Sequence, residues 1–261
     1  MALFDTHAHL LDPRFDEDRA QLTEALPENG VAFVLNVGCE GRRQFKESMA
    51  YAEAYAHVYA AIGVHPHEAL HFEQSDLDAI RALHPHPKLI GIGEAGLDYH
   101  YDFAPKEKQR EVFALQLALA QELGLPAILH IREAFGDAMD VLKGFGKQQK
   151  GVLHCFSGSY EFARQCIDKG YYVSFAGPLT FDNANRLRDV AARLPKDRVV
   201  VETDCPYLAP APKRGRRNEP KYVAHTARML AKVWGMEYEE TADKTTRNAL
   251  ALFGLQEAML L

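Results

Sequence analysis

A single (β/α)8 barrel of the TIM type is the fold class this sequence predicts. Short β-branched or aliphatic runs alternate with amphipathic segments from one end to the other, and eight such runs fit into 261 residues, a common length for a closed barrel. No Pro/Gly/Ser-rich linker and no shift of composition divides the chain, so residues 1–261 are expected to form one domain. Strand count by itself is also compatible with an open doubly wound sheet, because parallel strands need not close.

The elements follow in order. ALFDTHAH at 2–9 is the first strand, and Phe15, Arg19, Leu22 and Leu26 mark the apolar face of the helix after it, with the Arg stem tolerated there. VAFVLNVG at 31–38 leads into a helix carrying Phe45, Met49, Ala52 and Ala56 at spacings of three and four. VYAAIGVH at 58–65, LIGIGEAG at 89–96 and PAILHIR at 126–132 are the third to fifth strands, and Phe135, Met139, Leu142 and Phe145 give the next helical face. GVLHCF at 151–156, YYVSFAG at 171–177 and RVVVETD at 198–204 complete the set, with Val223, Ala227, Leu230 and Trp234 in the closing helix. Right-handed crossovers place every helix outside the strands.

Composition narrows the class. The N-terminus MALFDTHAHLLDPRFDEDR lacks a basic region followed by an apolar run, and no window offers eighteen uncharged apolar residues, so a cytoplasmic protein with no membrane association is expected. Cys39, Cys155, Cys166 and Cys205 form no CxxC pair, which excludes a disulfide framework and a cysteine-based zinc knuckle. No obligate protein partner is evident. The net charge is −6, yet Lys213, Arg214, Arg216 and Arg217 fall within five positions of PAPKRGRRNEP. That cluster reads either as a placed anion site or as a solvated loop.

Barrel enzymes assemble their sites at the C-terminal ends of the strands. His7 and His9 end the first strand two residues apart and so share a face, with Ala8 turned away. His65, Glu94, His130 and His154 end the third to sixth strands, and Glu202 and Asp204 share a face on the eighth. Taken singly, each is better explained as a satisfied structural residue. Together they are costly to bury unless paired or bound to metal, and imidazole with carboxylate suits transition metals better than calcium. His84 and His86 alternate with prolines in LHPHPK, a loop before the fourth strand; His57, His71, His100 and His225 lie on helices or loops without a ligand-spaced neighbour, and His67 in GVHPHE is left undecided. Strand alternation turns the sulfurs of Cys155 and Cys205 away from the adjacent candidates.

In order and spacing, DTHAHL, GVHPH, GIGEAGLDYH, LPAILHIREA, HCFSG and VETDCPYLAPAPKRGRRNEP resemble the motifs of the TatD family of metal-dependent deoxyribonucleases, a branch of the amidohydrolase-like metal barrels. The match runs from residue 5 to about residue 250. Ile131 departs from a small polar residue at this position in many relatives, but it lies between His130 and Arg132 on the opposite strand face. The resemblance implies two divalent metal ions, Zn, Mn or Mg: His7, His9 and Asp204 on one, His130 and His154 on the other, and Glu94 between them. It also implies 3′ to 5′ exonuclease action on single-stranded DNA.

The expected reaction is metal-dependent hydrolysis of a phosphodiester. Asp204 is the candidate proton acceptor and Glu202 the residue that orients a ligand or helps proton transfer. His65 and Arg132 are candidate phosphate contacts, with a structural hydrogen bond the competing role. Arg214, Arg216 and Arg217 are assigned to phosphates beyond the cleaved bond, Lys213 contributing less. Two alternatives stay open. One is an ester or amide hydrolase on the same barrel, such as a D-aminoacyl-tRNA deacylase or a lactonase; the other is a nucleic-acid-binding protein whose metals are structural.

Overall fold

The computed structural model describes residues 2–146 and 149–256. Eight parallel strands form one sheet in sequential order: β1 (Leu3–Ala8), β2 (Val31–Gly38), β3 (Val58–Ile62), β4 (Leu89–Asp98), β5 (Ala127–Arg132), β6 (Gly151–Leu153), β7 (Tyr171–Phe175) and β8 (Val199–Val201). Sequential parallel pairing requires a crossover after every strand, and the helices supply it: α1 (Arg19–Glu24), α2 (Arg42–Ala54), α3 (Gln74–Leu83), α4 (Lys106–Leu123), α5 (Phe135–Lys143), α6 (Tyr160–Asp168), α7 (Asn185–Arg193) and α8 (Val223–Trp234). The (β/α)8 barrel closes where β8 returns to β1. There Ala8 bridges Cys205, the Asp204 amide donates to His7 O at 3.0 Å, and the His9 amide donates to Cys205 O at 2.8 Å.

Two apolar layers hold the barrel. The outer layer packs strand residues such as Leu3, Val34 and Ile62 against Phe45, Phe113, Leu142 and Leu230 of the helices. The inner layer draws from all eight strands, including Phe4, Leu35, Tyr59, Ile90, Ile128, Val152, Tyr172 and Val200, and, among the described residues, from one helix, α9 (Tyr238–Phe253). Leu250 and Phe253 of α9 thereby plug the N-terminal mouth, and Asn248 fastens the plug by donating to Val199 O at 2.7 Å and Lys196 O at 2.8 Å. The sequence reading stopped at α8 and did not anticipate α9.

Several boundaries also differ from expectation. β6 and β8 stop one residue before His154 and Glu202, so the functional candidates stand on the turns that leave these strands. Cys155 and Asp204 have φ of 42° and 58°, left-handed conformations through which no ladder continues. β4 runs two residues past its expected end, to Asp98. Phe15 lies in a 3-10 turn, Pro13–Phe15, capped by Asp12 accepting from the Arg14 amide, and only Arg19–Glu24 is α-helical there. Ala56 and Phe145 fall just beyond α2 and α5. Among the described residues no helix is long and apolar enough to cross a membrane.

Candidate metal centre

Two β-bulges aim the central side chains. On β1, Asp5 pairs with Val34 and Ala8 with Asn36, so three steps on β1 match two on β2. Phe4 already points into the barrel; strict alternation would turn His7 outward, and the extra residue turns it in. β4 repeats the device between Ile92, opposite Ala127, and Ala95, opposite Leu129, which sets the aim of Glu94. Glycine is required beside it. A Cβ on Gly93 (φ 149°) would lie 2.5 Å from Ile128 O, and one on Gly96 (φ 156°) 1.9 Å from His130 O. The missing side chains let β4 and β5 approach closely enough for Glu94 and Asp98 to flank His130.

Glu94 occupies the centre, 3% exposed. Its Oε1 lies 3.3 Å from His7 Nε2 and 3.3 Å from His9 Nε2, with Asp204 Oδ1 3.5 Å from His9 Nε2 and 3.8 Å from His7 Nε2. Its Oε2 lies 3.0 Å from His130 Nδ1, 3.0 Å from His154 Nε2 and 3.8 Å from His65 Nε2. Each carboxylate oxygen thus serves a separate group of imidazoles. Within the groups, ring nitrogens face one another: His7 Nε2 and His9 Nε2 are 3.2 Å apart, and so are His130 Nδ1 and His154 Nε2.

This donor set fits divalent cations. Paired imidazole nitrogens beside a carboxylate oxygen can all act as lone-pair donors to one positive centre. The outward nitrogens fit as well. His154 Nδ1 faces Glu202 Oε1 at 3.1 Å and His130 Nε2 faces Asp98 Oδ2 at 3.0 Å, the arrangement by which carboxylates orient metal-bound histidines. Glu202 is fully buried and is itself fixed by the Cys155 amide at 2.7 Å.

Electrostatics agree. Burial opposes charge on His9, yet Asp204 and Glu94 lift its pKa to about 10. His154 goes well above the ordinary imidazole range, against burial, because Glu94 and Glu202 face it. Glu94 and Asp204 are depressed despite burial, by His154 and His7 in the first case and by His9 in the second. The cluster is built to attract positive charge into a poorly hydrated position.

Asp204 is held in its left-handed conformation from the barrel seam. Asp5 accepts from the Thr203 amide at 2.8 Å and from Thr203 Oγ1 at 2.6 Å, and the buried Asn218 Nδ2 donates to Thr203 O at 2.8 Å and Tyr207 O at 2.7 Å. A cavity of about 540 Å³ opens over the centre, lined by His9, His65, Glu94, His130, Arg132, His154 and Asp204 among others. His65 Nδ1 accepts from the His67 amide at 3.1 Å, which leaves the proton of the neutral ring on Nε2, towards Glu94. The Arg132 guanidinium sits over the Tyr101 ring at 5.1 Å.

The basic cluster does not act as one unit. Arg217 is committed within the chain: its guanidinium donates twice to the Asp18 carboxylate, at 2.6 and 2.7 Å, and once to Arg14 O at 2.9 Å, and it covers the Phe15 ring. Glu219 Oε1 also lies 3.4 Å from the guanidinium, so a phosphate approaching these nitrogens competes with two carboxylates. Arg214 and Arg216 are exposed, Arg214 lying 4.1 Å over Phe181.

Three participants were missed from the sequence. Asp98 contacts both His130 and His67, which resolves the undecided histidine: His67 Nε2 lies 3.1 Å from Asp98 Oδ2. Glu94, Gly96 and Asp98 alternate two apart on one strand, and that spacing was the available signal. Cys39 points its thiol at Glu94 Oε1, 3.6 Å away; nothing in its local sequence marks it. Asp5 looked like an ordinary strand residue, and its partner Thr203 is remote in the chain.

Residues 4–254 match the family model described as TatD related DNase. The chain is 45% identical over 252 residues to an uncharacterized metal-dependent hydrolase, YabD of Bacillus subtilis, covering 96% of this chain and 98% of that one. It is 33% identical over 259 residues to a protein of Enterobacter lignolyticus named 3′-5′ ssDNA/RNA exonuclease TatD, covering 97% and 99%. Among solved structures, the TatD homologue YJJV of Escherichia coli superposes with a TM-score of 0.89 at 29% identity, over 97% of this chain and 98% of that one. With a barrel whose histidines and carboxylates converge at one mouth, the chain belongs to the TatD related DNase family of metal-dependent hydrolases.

Proposed function

We propose that the chain hydrolyses phosphodiester bonds of single-stranded nucleic acid, DNA foremost, removing nucleotides from the 3′ end. The observation that carries this reading is Glu94, which offers one oxygen to each of two histidine groups at the floor of an open cavity. His7, His9 and Asp204 would hold one divalent cation and His130 and His154 a second, with Glu94 shared; of Zn, Mn and Mg, the imidazoles favour Zn and Mn over Mg, which prefers oxygen ligands. Bound there, such ions would lower the pKa of water towards neutrality and neutralise charge on the phosphate.

The chain's own residues do the rest. Asp204 takes a proton from the attacking water as its oxygen adds to phosphorus. The bond from phosphorus to the 3′ oxygen of the preceding nucleotide breaks, and that oxygen gains a proton, leaving a nucleoside 5′-monophosphate and a strand one unit shorter. Glu202 and Asp98 keep His154 and His130 oriented from behind. His65 Nε2 and Arg132 contact the phosphate oxygens, and Arg214 and Arg216 hold phosphates further along the strand. Arg217 anchors their loop to Asp18.

A 5′-labelled single strand, as DNA or RNA and with a free or a blocked 3′ end, tests the reading. Purified protein should shorten the free strand stepwise from its 3′ end, stop with EDTA and resume when a divalent metal is restored. A lactone and a D-aminoacyl-tRNA belong in the same assay. Metal-dependent hydrolysis of either one without cleavage of the strands would replace this reading by the ester hydrolase.

A further inference from the structure

Large apolar side chains are exposed at only five described positions, Leu70, Tyr101, Phe103, Tyr207 and Leu208. All five lie in segments that follow β3, β4 and β8, on the mouth that carries the histidines. Exposed hydrophobic residues scattered singly need no explanation, but a set confined to one mouth of the barrel, with Tyr101, Tyr207 and Leu208 lining its cavity, does.

The best-built part is an aromatic pair. The Tyr101 and Phe103 rings stack with centroids 5.3 Å apart and planes at 27°, yet they remain 45% and 58% exposed. His67 braces both, its ring meeting theirs edge-on at 5.5 and 4.7 Å. The backbone beneath is pinned by Asp98, whose Oδ1 accepts from the amides of His100 at 2.9 Å and Tyr101 at 3.2 Å. The other oxygen of Asp98 meets His130 and His67. One buried carboxylate therefore fixes the aromatic pair relative to the histidine centre. Tyr101 lines the cavity, and the Arg132 guanidinium that covers its ring lines the same space. With the guanidinium over Tyr101, the more open aromatic surface of the pair is that of Phe103, 58% exposed, next to a phosphate-binding group.

We propose that Tyr101 and Phe103 form a stacking platform for unpaired bases at the 3′ end of the substrate strand. The inference rests on the nuclease reading above and adds what selects single strands: every unpaired base has a π face to offer, whereas duplex bases have theirs covered. Tyr207, whose ring is backed by Arg14 at 4.2 Å, forms the opposite wall of the cavity.

The test uses the metal-loaded full chain and two 5′-labelled single strands, one normal and one with abasic sites at its last two 3′ positions. For the wild type, each stacked base removed should cost about 5- to 150-fold in kcat/KM. Phe103→Ala and Tyr101→Ala should lose a similar factor on the normal strand, mainly through KM, and little more on the abasic one. Phe103→Trp should restore the normal strand. Equal further losses on both strands would mean that the loop only supports the fold, and wild-type rates in both alanine variants would mean that the rings bind nothing; either result overturns the platform. Absence of strand cleavage by the wild type, with lactone or aminoacyl-tRNA hydrolysis intact, would remove the nuclease reading and the platform with it.

Discussion

The two mouths of the barrel solve opposite problems with the same strands. At the N-terminal mouth α9 seals the interior with Leu250 and Phe253 against Phe4, so burial there stabilises the fold directly. At the C-terminal mouth the strands bury Glu94, Glu202, His7 and His154, all less than a tenth exposed, at a cost in desolvation. Apolar burial around the barrel and at its sealed mouth offsets the cost of the charged cluster at the other.

Removing the centre of the charged mouth should have the largest effect. Glu94→Ala should bring hydrolysis to background and strip bound metal, measured by elemental analysis, while circular dichroism stays that of the wild type. Near wild-type turnover at full metal content would remove Glu94 from the centre. Asp204→Asn keeps the shape and removes the charge; a rate loss of roughly 10²- to 10⁴-fold is expected for a missing proton acceptor. Rates within a few-fold of wild type from pH 6 to 9 would pass that role to Glu202.

The sealed mouth should respond the other way. Leu250→Ala should cost about 2 to 5 kcal/mol in denaturant unfolding, with kcat/KM of the folded protein unchanged. A mutant that is stable but slow would mean that the two mouths are coupled. The smallest effect belongs to the basic loop. Arg214→Ala and Arg216→Ala should each flatten the log-log salt dependence of strand binding by about 0.7, the value for one single-strand phosphate contact. Arg217→Ala should leave that slope alone and lower the thermal midpoint slightly, since its Asp18 partner is partly exposed. A salt slope that follows Arg217 instead would show that phosphate does displace Asp18.

The same contrast explains how much could be read in advance. Alternating runs and ridges at three and four identified the barrel, because those periods are written locally, residue by residue. His7, His9, Glu94, His130, His154 and Asp204 were legible because ionisable side chains at strand ends are conspicuous. α9 was missed because its role depends on an opening that exists only once eight strands have closed. The bulges were missed because they depend on how neighbouring strands register, and the break between Asp5 and Ala8 that turns His7 inward has no local sequence signal. The commitment of Arg217 was hidden for a similar reason: Asp18 lies 199 residues away in the chain.

The seam between the first and last strands also sets an order in time. Asp5 and Thr203 meet across 198 residues, so the histidines of β1 leave the ribosome first and Asp204 follows, at ordinary rates of synthesis, roughly 10 to 40 s later. Until then the centre lacks one of its walls and the barrel is open at its side. A chain that ends before Thr203 and Asp204 therefore carries His7 and His9 without the carboxylate that faces them.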